Sequence, residues 1–263
     1  MSLSITPQHH GLGWVPDLPD QRDKIYEPLK KLGLAPLPEH VDLRTECPAV
    51  YDQGQLGSCT ANALAAAFDF DRHKQGKPFM TPSRLFIYWN ERSLEGTTNS
   101  DAGANIRDGV KVLRKIGTPP ETDWPYVIST FTEKPSAKSF TDASANQALT
   151  YQRIQRPTGD ATRDMQTCLA EGYPFVSGIS VYQSFESPTT NKTGIIPMPG
   201  KGETLLGGHA ILVIGYDSTK QWFVCRNSWG TVWGDKGYFY LPFAYLSSRN
   251  LSSDMWVIKT VEI

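Results

Sequence analysis

Cys59 closes the stretch DQGQLGSC and runs without a break into TANALAAAFDF. Most lone cysteines are small buried hydrophobes, and most glycines in such a loop only turn the chain. A thiol set at the head of a helix has another use, because the positive helix end favours the thiolate, the form that attacks carbon. That use requires a base for the proton and a polar group that orients the base. Of the five histidines, His9 and His10 lie near the N-terminus and His40 and His73 sit among polar neighbours. His209 differs, standing in GGHAILVIGYD at the mouth of an apolar run. Two preceding glycines let a backbone or ligand come close. Taken alone, such a histidine is more often a core residue satisfied by a carbonyl. Asn227, in QWFVCRNSWG, falls on the neighbouring strand if the chain makes a hairpin near Asp217–Lys220. Its amide carbonyl could then accept the imidazole N–H and fix the ring.

These side chains need elements to hold them. After Cys59, residues Ala63, Ala66, Ala67 and Phe70 recur at helical spacing, which predicts a buried helix beginning at the cysteine. TPSRLFIYW predicts a second helix with Thr81 as N-cap and Pro82 at the first helical position. NIRDGVKVLRKIG predicts a third, stopped at Gly117 before Pro119 and Pro120. The second half changes character: PFVSGISVY, HAILVIGYD, QWFVCRN and KGYFYL are short runs rich in β-branched and aromatic residues, and read as strands. Helices first and strands second imply an α+β chain of two lobes, helical over about 51–130 and β over about 140–243. A cleft between unlike lobes is a natural substrate site.

Composition narrows the function. The chain has 263 residues, ordinary apolar content and many aromatics, as a folded protein does. Lys+Arg 26 against Asp+Glu 27 gives a formal charge of -1 with no basic run, so nucleic acid is not an expected partner. The longest apolar runs, around 63–68 and 210–216, are too short to cross a bilayer, so no membrane is expected either. MSLSITPQHHGLGW lacks a basic segment followed by an apolar one, so no signal peptide is expected on this chain. A trimmed leader would look the same, which leaves a cytoplasmic and a secreted location both open. Cys47, Cys59, Cys168 and Cys225 are widely spread with no C-x-x-C pair, and neither a metal site nor a cofactor is expected. Cys47, Cys168 and Cys225 read as structural, and the protein as a monomer.

With these blocks in view, the chain resembles the papain family of cysteine peptidases, in a bacterial-like form with a short N-terminal extension. QGQLGSC at 53–59 matches the family's Gln-Gly-x-x-Gly-Ser-Cys, followed in order by GGHA at 207–210, NSWG at 227–230 and WGDKGYFYL at 233–241. The resemblance spans residues 37–263, from LPEHVDLR onward. It implies a papain-like two-lobe fold with the site in the cleft. It implies Cys59 as nucleophile, His209 as base and later acid, Asn227 as orienter and Gln53 as oxyanion donor, with a lowered thiol pKa and a thiolate–imidazolium pair. Trp229 would shield the Asn–His bond and line the primed side of the cleft. Gly57, Ser58, Gly103, Ala104 and Asn105 are implied substrate contacts on the helical lobe, and Gly178 and Gly208 line the pocket for the second residue before the scissile bond. The family's usual cysteine three residues before the nucleophile, which forms a lobe disulfide, is here Leu56, and its usual Trp after the nucleophile is Thr60. Packing must therefore hold the lobe.

The expected activity is hydrolysis of peptide or protein substrates through a thioester acyl-enzyme, with endopeptidase cleavage favoured because no extra loop blocks one end of the cleft. A thiol acyltransferase of the same fold and a catalytically silent peptide-binding homologue are the alternatives. Residues 1–36 fall outside the resemblance. Rich in Pro and Gly, with Trp14 among prolines that pre-extend the chain, they are expected to form an arm that covers part of the cleft and restrains activity until it moves or is cut, the alternative being an arm packed on a distant surface or disordered.

Overall fold

The computed structural model describes residues 10–28, 36–155 and 161–261. The ends of the expected arm, residues 1–9 and 29–35, lie outside the described residues.

Helix α1 (Cys59–Lys74) begins at the cysteine, and every residue from Cys59 to Asp71 is buried. ANALAAAF explains much of this, since alanines let neighbours approach from all sides, while the buried Thr60, Asn62 and Asp69 find partners in Glu91, Ser58 and Met80. Arg72, His73 and Lys74 in its last turn complement the negative helix end.

Helix α2 (Arg84–Glu95) starts later than the sequence suggests. Ser83 is its N-cap, its side chain accepting from the Phe86 N–H. Thr81 adopts a φ of 54° and Pro82 pairs with Pro120, outside the helix. The cause lies on α1, where the Asp69 carboxylate accepts the N–H groups of Met80 and Thr81 at 2.9 and 3.2 Å and bends the chain before the helix can start. Helix α3 (Ile106–Lys115) follows the expected span, and Gly117, with a φ of 85°, turns the chain out of it.

The second half supplies six strands of an antiparallel sheet that has seven among the described residues. Its strands are β1 (His40–Asp42), β2 (Ala148–Ile154), β3 (Phe175–Tyr182), β4 (Leu205–Asp217), β5 (Trp222–Arg226), β6 (Tyr238–Pro242) and β7 (Ser252–Val261). They run in the order β2-β7-β3-β4-β5-β6, with β1 paired to β4. The four strands expected from sequence are all present. The sheet also reaches beyond residue 243, since β7 pairs with both β2 and β3 and ties the C-terminal segment into the core. Four short helices, α4 (Ala137–Ala143), α5 (Ala161–Ala170), α6 (Pro188–Thr193) and α7 (Phe243–Ser247), fill the connections.

Strand β4 matters most for the site. Every residue from His209 to Tyr216 is buried, as expected of a central strand covered on both faces. Its register with β3 sets His209 opposite Ile179 and Ala210 opposite Gly178. Among the described residues, no helix is long and apolar enough to cross a membrane.

Candidate active site

The head of α1 and the start of β4 meet. Ala210, the residue after His209, turns its backbone N–H to the Cys59 sulfur. The His209 Nε2 lies 2.8 Å from Asn227 Oδ1, an oxygen that also accepts the Ser228 N–H at 2.8 Å. An oxygen that accepts twice fixes the amide orientation, so Nε2 carries the proton and donates. The opposite nitrogen, Nδ1, is buried and makes no hydrogen bond among the described residues. Trp229 covers the imidazole, with ring centroids 4.8 Å apart.

Gln53 joins the group through residues the sequence reading did not single out. Its backbone N–H donates to Ser228 O at 2.9 Å, and the Ser228 hydroxyl donates to its Oε1 at 2.5 Å. With Oε1 held, the amide nitrogen must face the cleft. There it donates to Leu56 O at 2.9 Å and to Gly11 O, on the N-terminal arm, at 3.0 Å. The signal for Ser228 was its place between Asn227 and Trp229, which a count of chemically reactive side chains passes over.

The arm lies in the cleft as an extended chain held by main-chain bonds to both walls. Ala104 N–H donates to Gly13 O at 2.8 Å, Val15 N–H to Ala104 O at 3.0 Å and Trp14 N–H to Gly208 O at 3.1 Å. His10 stacks on Trp229 at 4.2 Å between centroids. The Trp14 ring is only 8% exposed, and a Cβ on Gly178 would lie 2.0 Å from it. Glycine at 178 is what lets an indole sit against β3. The Asn105 side chain donates to Val15 O and Pro16 O at 2.9 and 3.1 Å. The residues expected to contact substrate thus contact the arm at Ala104, Asn105, Gly178 and Gly208. Gly57 also faces it, since a Cβ on Gly13 would lie 1.8 Å from the Gly57 carbonyl oxygen. Gly103 faces it too, since a Cβ there would lie 2.1 Å from the Gly13 carbonyl oxygen, and its N–H donates to Tyr88 Oη, whereas the Ser58 hydroxyl is committed to Tyr126 and Asn62.

With the arm in place, the electrostatics oppose the expected ion pair. Burial pushes the Cys59 thiol up to about 11, against donors from Ala210, Gly13 and Thr60 that favour the anion. Burial likewise pushes His209 down to about 4, although the Asn227 bond supports the charged form. The expectation of a lowered thiol pKa therefore fails for the covered site, because desolvation outweighs the helix end. Burial thus favours the neutral form of each. Cys47, at about 12, and Cys168 and Cys225 are also raised by burial, and all four cysteines are free.

Further along, the arm is held by charge. Asp23 pairs with Arg107 and Arg153, each at 2.7 Å, and Arg153 pairs with Asp254 at 2.7 Å. Asp17 accepts from the Arg107 backbone and the Trp256 indole, while its own N–H donates to Asp254. Burial and then the Asp254 charge raise Asp17 from 3.8 to about 6. Burial also pushes on Asp23, yet Arg107 and Arg153 hold it below its ordinary value.

The description "Papain family cysteine protease" matches residues 37–250. The chain belongs to the papain family of cysteine proteases. Xylellain, a cysteine protease from Xylella fastidiosa, is similar at 43% identity with a TM-score of 0.89, over 98% of this chain and 99% of that one. An uncharacterized peptidase C1-like protein of Acanthamoeba polyphaga mimivirus is 42% identical over 216 residues, 80% of this chain and 69% of that protein. A procathepsin B of Trypanosoma congolense, 18% identical with a TM-score of 0.75 over 97% of this chain and 88% of that one, shares the fold. This papain-family chain is accordingly a peptidase, a hydrolase acting on peptides, and its α+β architecture is the papain-like fold.

Two outcomes follow for the covered cleft. Trp14→Ala removes a buried ring worth about 3 kcal/mol. Alkylation of Cys59 by iodoacetamide should quicken about 10²-fold at pH 7; an unchanged rate would show that Trp14 does not hold the arm. Asp17 has a raised pKa when docked, so its contribution to docking is full below about 4 and lost as pH rises through about 6. The Asp23 contribution has the opposite sign, and fades only below its ordinary value near 3.8. Asp17→Asn should therefore slow Cys59 alkylation roughly tenfold at pH 7, a difference that closes by pH 4. A difference that persists at pH 4 would remove Asp17 as its source.

Proposed function

We propose that the protein is an endopeptidase working through Cys59, His209 and Asn227, with Gln53 as oxyanion donor, and that the arm restrains it. The observation that carries this reading is the imidazole held at Nε2 by Asn227 with Nδ1 left without a partner among the described residues, on the residue before Ala210, whose N–H faces the sulfur at the helix head. Once the arm leaves, water and substrate replace the apolar cover. The helix end and the imidazolium then favour a thiolate, and His209 Nδ1 takes the thiol proton.

The thiolate attacks the scissile carbonyl carbon, and the carbonyl oxygen gains the electron pair. Gln53 Nε2 and the Cys59 backbone N–H receive that charge, the latter because first-turn N–H groups have no partner within the helix. Supporting this role, Gln53 Nε2 already donates to a carbonyl oxygen of the arm. Collapse breaks the C–N bond, and Nδ1–H protonates the leaving amine. Water, deprotonated by the same nitrogen, then cleaves the thioester and restores the thiol.

Endopeptidase action is supported by the arm's path, a continuous chain from His10 on Trp229 past Ala104 and Gly208 to Leu18, whose carbonyl accepts from Arg107. A polypeptide can enter and leave at both ends. The arm's contacts are out of step with those of a scissile bond. Gly11 supplies the oxygen on Gln53, whereas Gly13 supplies an N–H to the sulfur.

An epoxide that alkylates thiolates should label Cys59 in the Trp14→Ala chain; label on Cys47, Cys168 or Cys225 with Cys59 untouched would end the assignment. Gln53→Ala should lower kcat about 10²–10³-fold, and a loss below threefold would return Gln53 to an ordinary loop role. Asn227→Ala should cost less activity than His209→Ala, because an orienter is partly replaceable and a base is not. Equal losses, measured as kcat/KM on one peptide, would contradict that division.

A further inference from the structure

The loop that carries Gln53 has no disulfide, since position 56 is leucine, yet every turn of it is tied down. At its centre is an arginine for which the reaction has no use. Arg84 is only 8% exposed. Its Nε and Nη2 donate to both oxygens of Glu121 at 2.8 and 2.7 Å. The guanidinium lies over the rings of Tyr126 and Tyr51, 4.0 and 4.7 Å from their centroids. A cation held by a two-point carboxylate and two aromatic faces has one orientation left.

In that orientation Nη1 donates to Asp52 O at 3.2 Å and to Asn62 Oδ1 at 3.1 Å. The Asn62 amide, its oxygen held, donates to Ser58 O at 2.9 Å and Ser58 Oγ at 3.1 Å. Ser58 Oγ is 2.6 Å from Tyr126 Oη, which donates to Gln53 O at 3.0 Å. The donors run in one direction, from Asn62 through Ser58 and Tyr126 to Gln53, so each bond polarises the next. The carbonyls before and after the Gln53 Cα are thereby fixed, and so is Ser58, the residue before Cys59. At the far side of the loop, Asp101 accepts the Gly57 N–H with both oxygens at 3.1 and 3.0 Å.

We propose that Arg84 is a positioning residue for catalysis: through Asp52, Asn62, Ser58 and Tyr126 it sets the Gln53 amide and the Cys59 backbone N–H at one point. This rests on the reading that those two donors receive the oxyanion. The clamp touches neither substrate nor sulfur. Its effect should appear only when charge develops on the carbonyl oxygen.

The full-length chain tests it with Tyr126→Phe, Arg84→Lys and Arg84→Met, each read in two ways. One is kcat and KM for a peptide substrate; the other is the rate of Cys59 alkylation by iodoacetamide, which needs a thiolate and access but no oxyanion site. Both reactions require the arm to be out, so their ratio is independent of it. Tyr126→Phe, which removes one hydroxyl and keeps the ring, should lower kcat about 10–10²-fold, less than deletion of a donor because the donor is displaced and still present. KM and alkylation should stay within about twofold of the parent chain. Arg84→Lys should fail to rescue, since one ammonium cannot meet Glu121, Asn62 and Asp52 together while lying flat on two rings. An unchanged kcat in Tyr126→Phe and Arg84→Lys overturns the proposal, as does a loss of alkylation in step with hydrolysis. If Arg84→Met does not fold, the other two variants carry the test. A parent chain alkylated elsewhere than Cys59 overturns the underlying assignment as well.

Discussion

A helix with no wet face cannot move. Because α1 is buried from Cys59 through Asp71, its first residue is a fixed point to which other groups must come. The sheet brings His209, at the head of the buried run of β4, and the turn after β5 brings Asn227 and Ser228. The loop before the helix brings Gln53. Reactivity depends on sub-ångström placement, and placement here follows from packing of an alanine-rich helix against a buried strand.

Much of this was legible in the sequence because the chemistry-bearing residues come in short blocks with fixed internal spacing. QGQLGSC, GGHA and NSWG each state a local geometry, and their order states which lobes must meet. The start of α2 was misread because its determinant is not local. Asp69, on another helix, captures the N–H groups of Met80 and Thr81, and a proline that looked like a first helical residue stays outside. Strands β2 and β7 were missed because SSDMWVIKTV and ALTYQRI carry polar residues where a strand near the edge of a sheet can tolerate them. Their pairing is seen only once both are in place.

The thiol pKa of the covered cleft departs from the helix-end expectation for a different reason. A helix end contributes at most about 2 kcal/mol to a charge at its head. Excluding water from a thiolate costs more, and burial is the largest influence on the Cys59 thiol here. Sequence reading placed the arm over the cleft without saying what it would do to the charges beneath. The arm's Gly13 lies at the sulfur and its His10 on Trp229, so the arm is part of the burial that favours the neutral sulfur and imidazole.

Leucine at position 56 has a bearing on how the molecule can be handled by its surroundings. A protease stapled beside its nucleophile makes contradictory demands: the staple needs an oxidant and the nucleophile needs a reductant. Here Asp101, Tyr126 and Arg84 tie the loop with polar bonds, and all four thiols are free. One reducing bath suits every sulfur in the chain, so an excess of small thiols can strip oxidised caps from Cys59 without unfastening the scaffold that aims it.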